Sequence, residues 1–284
     1  MAAPRLLVME GNTAEARAKQ VEAGGTALSD GYADLLRRLL PSAVVDVCYP
    51  ADPGANLPIG GLEGYDGVAI TGSALNVYDG GPEIERQIEL TRAVLAAKTP
   101  LFGSCWGLQL MTVAAGGVVR PNPKGREIGI GRRIALTSAG RDHPMFVGKG
   151  ATFDAITVHL DEVETLAPGT TVLASNAVSG VQGAELRLGG AVAWGVQYHP
   201  EFSLHDIAVV IRRYGSRLLR EGFFPDLAAR DAYTADLETL HSAPDRAIAW
   251  RYGIDDTVLS EGIRSAEIAN WITHQVLPAY GRRA

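Results

Sequence analysis

The chain has 284 residues, a formal net charge of -6, 46% hydrophobic residues and 20% charged residues, which is typical of a globular protein. The negative charge, and the lack of Lys and Arg clusters interleaved with aromatic residues, argue against nucleic-acid binding. No run approaches the ~18 apolar residues of a membrane span. The start, MAAPRLLVMEGN, is too weakly apolar for a signal peptide. Two cysteines are too few for a disulfide framework or a structural zinc site, so we expect a cytoplasmic protein without a membrane or nucleic-acid partner.

The first hundred residues alternate apolar runs of strand length with helical segments. Strands are predicted at Arg5–Met9, Ala43–Cys48, Gly67–Thr71 and Thr99–Phe102. Helices are predicted at Tyr32–Leu40, with Asp30 as the N-cap, and at Pro82–Ala97, which begins with a proline. This alternation predicts an α/β fold with a doubly wound, flavodoxin-like, mostly parallel sheet.

Three loops follow predicted strands and are expected to meet at one edge of the sheet. Glu10–Gly31 is too long for a simple link and includes a candidate helical turn at Ala14–Val21. The other two are Thr71–Asp79 and the turn at Cys105. Because ligand sites of such sheets lie beyond the carboxyl ends of the strands, a site is expected there. Pro50–Gly64, rich in Pro and Gly, is predicted to be a further loop.

After Gly116 the pattern changes to short strand-like runs between Gly, Pro and Asn turns, which predicts an added antiparallel portion. These runs are Arg126–Leu136, Ala151–Val158, Thr171–Ser175, Ala184–Leu188 and Ala191–Gln197. Leu204–Leu219 then returns to helical spacing. We expect one domain at residues 1–222 and a C-terminal helical extension at residues 223–284 that packs on it.

The extension is predicted to be helical throughout, at Pro225–Leu240, Pro244–Tyr252 and Thr257–Val276. Its apolar side is expected to be formed by Trp250, Ile268, Trp271 and Ile272. Such a segment is better suited to packing on a larger core than to folding as an independent domain.

The stretch LFGSCWGLQLM, residues 101–111, joins a short strand to an apolar helix through a turn at Cys105. Gly103 and Gly107 flank the turn and let strand and helix approach closely. A thiol there faces the free N–H groups and positive end of the helix, which favour a thiolate. The stretch by itself is equally consistent with a nucleophile and with a core cysteine. Cys48, inside a predicted strand, is expected to be in the core.

His199, Pro200 and Glu201 follow the last apolar run. In an extended segment residues two apart point to the same side, so Glu201 can orient the imidazole of His199 while Pro200 stiffens the link. A histidine held in this way can exchange a proton with a nucleophile. An α/β-hydrolase is disfavoured, because its acid precedes its histidine in the chain.

Two motifs resemble those of class I, triad-type glutamine amidotransferases. GSCWGLQL resembles their G-x-C-x-G-x-Q nucleophile motif, and WGVQYHPE resembles their G-x-Q-x-H-P-E motif. TGSALNVYD and HLDEVETLAPGTTVLASN are similar to two further segments of glutaminase domains of the GMP synthase type. The resemblance covers about Leu6–Gly222.

The resemblance implies a catalytic triad. Cys105 would attack the side-chain amide of glutamine, His199 would act as general base and then acid, and Glu201 would orient His199. Ammonia would leave, and water would hydrolyse the γ-glutamyl thioester to glutamate. No cluster of His, Cys and Asp in the sequence has metal-ligand spacing, and we expect no metal and no cofactor.

The resemblance also implies binding groups. The backbone N–H groups of Trp106, Gly72 and Ser73 would hold the oxyanion, and Gln109 and His159 would bind substrate. The family loop often has Gly-Gly-Pro where this chain has Gly-Ser-Ala at residues 72–74. A positive φ at the second position would strain Ser73.

Three functions are open at this point. One is a glutaminase that supplies ammonia to an unidentified acceptor through a separate synthetase subunit, because residues 223–284 are too short for an ATP-using domain. Another is a stand-alone γ-glutamyl hydrolase acting on γ-glutamyl amides or peptides, with the Glu10–Gly31 loop and the helical extension forming a pocket for the leaving group. The last is a non-catalytic binding subunit on the same fold.

Overall fold

The computed structural model describes residues 3–55, 57–58 and 61–283. Parts of the predicted domain, loop and extension lie outside the described residues, namely Met1, Ala2, Asn56, Ile59, Gly60 and Ala284. Within the described residues the strands are β1 (Arg5–Met9), β2 (Val44–Cys48), β3 (Gly67–Ile70), β4 (Leu101–Ser104), β5 (Val118–Pro121), β6 (Glu127–Leu136), β7 (Thr152–His159), β8 (Asp161–Thr165), β9 (Thr170–Ser175), β10 (Gly183–Leu188) and β11 (Ala191–Val196).

Six α-helices of the described chain precede residue 223. They are α1 (Ala14–Glu22), α2 (Leu28–Leu39), α3 (Pro82–Ala97), α4 (Trp106–Ala114), α5 (Ser138–Arg141) and α6 (Leu204–Arg220). The extension adds α7 (Leu227–Ser242), α8 (Arg246–Tyr252), α9 (Asp256–Leu259), α10 (Glu261–Arg264), α11 (Ala266–Trp271), a π-helical turn (Ile272–Val276) and α12 (Leu277–Arg283). The described part of the predicted loop Pro50–Gly64 is irregular except for a 3-10 turn at Leu62–Gly64.

Nine strands form one sheet in the order β2-β1-β3-β4-β11-β10-β9-β6-β7. The first five in that order are parallel, and the other pairs are antiparallel. The prediction of a mostly parallel, doubly wound sheet with an antiparallel portion is confirmed. β5 and β8, which the sequence pattern does not predict, pair in a separate two-stranded sheet.

The expectation that the last run is simply one more antiparallel strand is wrong. β11 pairs antiparallel with β10 but parallel with β4, so it joins the two parts of the sheet. Its residues are buried except for the partly exposed Val192, as expected for a strand covered on both faces. Val196 pairs with Ser104, which brings the ends of β11 and β4 together.

Alternate residues of β1 enter two separate cores. Leu7 and Met9 lie in the cluster with apolar residues of α3 and α4. Leu6 and Val8 lie in the cluster that contains apolar residues of α2 and of the extension. The period of two along the strand therefore places helices on both faces of the sheet.

Residues 11–27, which we call the α1 excursion, contain the full helix α1 where the sequence predicts one turn. The buried carboxylate of Glu10 closes this excursion by accepting N–H groups of Asn12 (2.9 Å) and Ser29 (2.7 Å). Burial raises the pKa of Glu10, and the two N–H donors oppose this rise.

The same carboxylate explains why α2 begins at Leu28 rather than at the predicted Tyr32. Glu10 provides the acceptor that its first turn needs, and Asp30, predicted to be the N-cap, lies inside that first turn instead. A cap supplied from β1 leaves no signal in the local pattern around α2.

Two predictions about the extension are wrong. Trp250, expected on the apolar side of the extension, is 86% exposed. Ile268 and Trp271 are instead buried in the core cluster that contains the apolar residues of α2. The predicted helix Thr257–Val276 is broken after α9, because the buried guanidinium of Arg264 donates to the carbonyl of Val258 at 2.6 Å. That bond satisfies a carbonyl that a continuing helix would have used. No helix in the described ranges is long and apolar enough to cross a membrane.

Replacing Glu10 by Ala should destabilise the protein by about 2–4 kcal/mol, because two buried N–H groups lose their acceptor at about 1–3 kcal/mol each. Urea unfolding measures this difference. The matched control is Glu15→Ala on α1, which removes only an exposed pair with Lys19 and should leave the unfolding midpoint close to that of the wild type. Equal unfolding midpoints for the two variants would contradict the closing role of Glu10.

Candidate active site

Cys105 lies in the turn between β4 and α4 with φ 50° and ψ -96°, a conformation that non-glycine residues seldom adopt. Its N–H donates to the carbonyl of Val196 at 2.7 Å, which ties the turn to β11. A Cβ on Gly103 would lie 2.4 Å from the backbone carbon of Gly107, and a Cβ on Gly107 would lie 2.9 Å from the carbonyl oxygen of Ile70 in β3, so glycine is required at both positions.

The thiol of Cys105 is buried yet points to polar atoms and into a cleft. Its Sγ lies 3.5 Å from the carbonyl of Val158 and 3.4 Å from Nε2 of Gln197, which donates to it. Cys105 is also the N-cap residue of α4, where the helix dipole favours negative charge. Cys48 differs, since it is buried in the core and burial raises the pKa of its thiol to about 12.

His199 is held from three sides. Its Nδ1 is 2.8 Å from Oε1 of Glu201, and its ring stacks on Phe202 at 4.0 Å between centroids. A Cβ on Gly72 would lie 2.6 Å from Cε1 of His199, so only glycine fits beside the ring. The predicted extended link is wrong in detail, because the N–H of Phe202 donates to the carbonyl of His199 and closes a turn with Pro200 at its second position.

The charge of Glu201 controls the ionisation of His199. Burial by itself lowers the pKa of His199, but the carboxylate of Glu201 and the nearby thiol of Cys105 outweigh it and raise that pKa from 6.5 to about 10. The side chains of His199 and Glu201 are 2% and 4% exposed, so solvent screens their attraction little. Nε2 of His199 makes no hydrogen bond to a described residue. The carboxylate of Glu201 therefore favours the protonated form of the ring.

The loop after β3 brings Gly72 and Ser73 beside His199. Their backbone N–H groups, and that of Trp106 at the start of α4, donate to no described backbone or side-chain group. Ser73 is not among the described non-glycine residues with positive φ, so the suspected strain is not present. Its hydroxyl donates to the carbonyl of Gly11 at 2.9 Å and fixes the loop.

Gln109 and Gln197 form a buried pair next to the thiol. Nε2 of Gln109 is 3.5 Å from Oε1 of Gln197, whose own Nε2 faces Cys105. Gln197 lies two residues before His199, so the alternation of an extended chain directs both toward the cysteine.

His159 is more restrained than a simple edge residue. Its Nδ1 is 3.0 Å from the carbonyl of Asp161 and its Nε2 is 2.9 Å from Glu127. Asn176 and Gln182 also donate to that carboxylate, which lies in a buried network. With both ring nitrogens occupied, His159 can contact a ligand only through its ring carbons.

A cleft opens over the thiol. The residues of the predicted site that line it are Gly72, Ser73, Cys105, Gln109, His159 and His199. Glu201 and Trp106 are not lining residues, which fits a carboxylate that acts through His199 and a backbone donor.

The α1 excursion and α6 form the opposite wall, through residues that include Gln20, Val210 and Arg213. Of the described residues beyond Arg217 none lines the cleft, so the expectation that the helical extension forms part of this pocket is wrong.

Several residues of the site escape prediction from sequence. Gln197 lies inside the second motif, WGVQYHPE, and its position there could have predicted a place in the site. Phe202 and Glu127 act through contacts with His199 and His159 that appear only after folding. Over the described ranges no group of three or more His, Cys, Asp or Glu side chains is arranged to hold a metal ion.

Comparisons with known proteins identify the family. The family profile of "Glutamine amidotransferase class-I" matches residues 34–212. A Pseudomonas protein named gamma-glutamyl-L-1-hydroxyisopropylamide hydrolase is 35% identical over 288 residues, which cover 98% of this chain and 95% of that protein. A GMP synthase from Thermomicrobium roseum is 30% identical over 215 residues, which cover 74% of this chain but only 36% of that protein.

A solved structure extends the match to the fold. The crystal structure of a glutamine amidotransferase from Thermotoga maritima superposes with a TM-score of 0.68 at 18% identity and covers 97% of this chain and 99% of that one. The predicted resemblance to class I domains, including those of GMP synthases, is confirmed. The chain is a cysteine-dependent amidohydrolase that belongs to the class-I glutamine amidotransferase family.

Proposed function

We propose that the chain is a stand-alone hydrolase of γ-glutamyl amides that uses Cys105, His199 and Glu201. The observation that carries this proposal is the similarity, over nearly the full length of both chains, to a Pseudomonas protein named for hydrolysis of a γ-glutamyl amide. The cleft supports it, because the wall formed by the α1 excursion leaves room beyond the thiol for a leaving group larger than ammonia.

The chemistry follows from the positions of the side chains. The thiol of Cys105 gives its proton to Nε2 of His199 and its Sγ attacks the γ-carbonyl carbon, while the N–H groups of Trp106, Gly72 and Ser73 hold the resulting oxyanion. His199, protonated by the thiol, then donates this Nε2 proton to the leaving amine as the C–N bond breaks. The product of this step is a γ-glutamyl thioester.

Hydrolysis of the thioester completes the cycle. Neutral His199 takes a proton from water, hydroxide adds to the thioester carbonyl, and the C–S bond breaks to release glutamate and the thiolate. Glu201 keeps the imidazole oriented and stabilises its charge in both steps. We propose that Gln109 supports the glutamyl part and that His159 contributes the cleft edge.

The second candidate is glutamine hydrolysis with delivery of ammonia to a separate synthetase subunit. The similarity to about a third of a GMP synthase favours it, because that protein is named as glutamine-hydrolysing. We place the chemistry of either candidate in residues 1–222, with residues 223–284 as an extension packed on them. A cytoplasmic location belongs to the same proposal, since reducing conditions keep Cys105 a free thiol.

Glutamate release from glutamine and from a panel of γ-glutamyl alkylamides should separate the candidates. We expect a higher kcat/KM for the alkylamides, and a loss of about 10⁴-fold or more in Cys105→Ala, because the nucleophile is removed. Cys48→Ala is the matched control and should keep its activity, since that thiol is in the core. A clear preference for glutamine would favour the second candidate. If no substrate is turned over, both candidates are wrong and the non-catalytic binding subunit is the function that remains.

Replacing Glu201 by Gln should make activity more sensitive to alkaline pH. Without the carboxylate, burial lowers the pKa of His199, so the imidazolium is lost at a lower pH than in the wild type, where it persists to about 10. The ratio of wild-type to variant kcat/KM should therefore rise between pH 6 and 9. In Glu238→Gln, which alters a surface carboxylate paired with His205, the ratio should stay flat. A flat ratio for Glu201→Gln as well would refute the role of its charge.

Replacing Gly72 by Ala should reduce kcat/KM by about 100-fold, because the new Cβ would push the His199 ring from its place and catalytic geometry tolerates little displacement. The φ of Gly72 is not positive, so the backbone itself accepts alanine. Gly180→Ala, where nothing lies within 4 Å of the new Cβ, should behave as the wild type. Kinetics together with thermal unfolding would show whether activity is lost without loss of the fold, and unchanged kinetics would contradict the contact.

A further inference from the structure

The α1 excursion forms a fixed wall of the cleft. Asn12, Gln20 and Leu28 line the cavity from this segment and its junction with α2. The buried carboxylate of Glu10 closes the base of the excursion, as described above. On its outer side Arg17 pairs with Asp52 at 2.6 Å. Because these contacts fix both the base and the outer side of the α1 excursion, this wall is preorganised for a ligand.

Within this wall Gln20 is a buried polar side chain without a partner. It is 2% exposed, and its amide makes no hydrogen bond to any described residue, with Nε2 completely buried. A Cβ on Gly25 would lie 2.6 Å from that nitrogen and 3.0 Å from Cγ1 of Val209, so the amide is confined between the excursion and α6. Buried amides nearly always find a partner, and an unpartnered one that lines a cavity indicates a group that arrives with the ligand.

The surroundings of Gln20 define the chemistry of that group. Leu28, Phe202 and Val210 line the same cleft with apolar surface, which disfavours a charged partner. The arginines that line the cleft, among them Arg213, can serve anionic groups instead. Because Nε2 of Gln20 is completely buried against Gly25 and Val209, Oε1 is the amide atom that a ligand can reach, and it accepts a hydrogen bond. A neutral hydroxyl on an apolar body therefore fits best.

We propose that Gln20 is a specificity-determining residue whose Oε1 accepts a hydrogen bond from a neutral hydroxyl on the leaving amine of the substrate. The inference rests on the proposed hydrolysis of γ-glutamyl amides. Gln20 lies on the cleft wall formed by the α1 excursion and α6, so we assign it to the leaving group rather than to the reacting carbonyl. Ammonia, the leaving group of glutamine, carries no such oxygen and gains nothing from Gln20.

Two substrates of equal size test this assignment on the wild-type protein. γ-Glutamyl-ethanolamide carries a hydroxyl where γ-glutamyl-propylamide carries a methyl group. We expect kcat/KM to favour the ethanolamide by about tenfold or more, because a site built for a hydrogen bond rejects the analogue that lacks the group. Equal values for the two amides would overturn the assignment without the use of any variant.

The variant Gln20→Met keeps the volume of the side chain and removes its polar atoms. It should abolish the preference between the two amides and leave the kcat/KM for glutamine within about twofold of the wild type. Glu22→Met, an exposed change on the same helix, is the control and should keep the preference. If the methionine variant folds poorly, Gln20→Glu is a second variant that keeps the shape of the side chain. It should also reduce the preference for the ethanolamide.

The two failures can be told apart. If the wild type hydrolyses neither amide nor glutamine, the proposed function is wrong. If it hydrolyses them but Gln20→Met lowers all three rates by the same factor, or none, then hydrolysis stands and the role of Gln20 in leaving-group selection is wrong.

Discussion

The parallel pairing of β4 with β11 is the constraint on which the site depends. The N–H of Cys105 donates to Val196 across this pair, and Ser104 lies opposite Val196 in the register. Parallel strands end at the same edge of a sheet, so the turn after β4 and the turn after β11 meet there. Two segments some ninety residues apart are thereby fixed within hydrogen-bond distance of one another. A slip of one residue in this register would turn Gln197 and His199 away from the thiol.

The segment after β11 is held on both of its sides. His199 faces the cleft, while the next side chain back, Tyr198, faces the opposite layer and donates to Glu267 of the extension at 2.5 Å. Lys149 neutralises that carboxylate at 3.0 Å, and both side chains are at most 1% exposed. A buried pair of this kind contributes more to a unique arrangement than to net stability. The extension thus contacts the back of the segment that carries His199 although it does not line the cleft.

One half of the cleft is formed by segments that contain the family motifs, and the other half is formed by segments that contain none. The thiol, the His199–Glu201 pair and the loop at Gly72 belong to motifs that resemble those of the whole family. The opposite wall comes from the α1 excursion and α6, where no such motif lies. Attack on a γ-glutamyl carbonyl needs the same groups whatever amine leaves, so under the proposed function we assign the selection of the amine to this second half.

The sequence by itself determined the strand and helix alternation, the turn at Cys105 and the pairing of His199 with Glu201. Each of these depends on residues close together in the chain, such as Gly103 beside Gly107 or Pro200 between its neighbours. Only the tertiary structure decided that β11 lies between β4 and β10, that Glu10 caps α2, that Arg264 ends α9, and that Gln20 lines the cleft without a partner. The physical reason is that these contacts join side chains or strands to groups that are brought near by the packing of the whole chain. A local pattern carries no record of a partner that it meets only after folding.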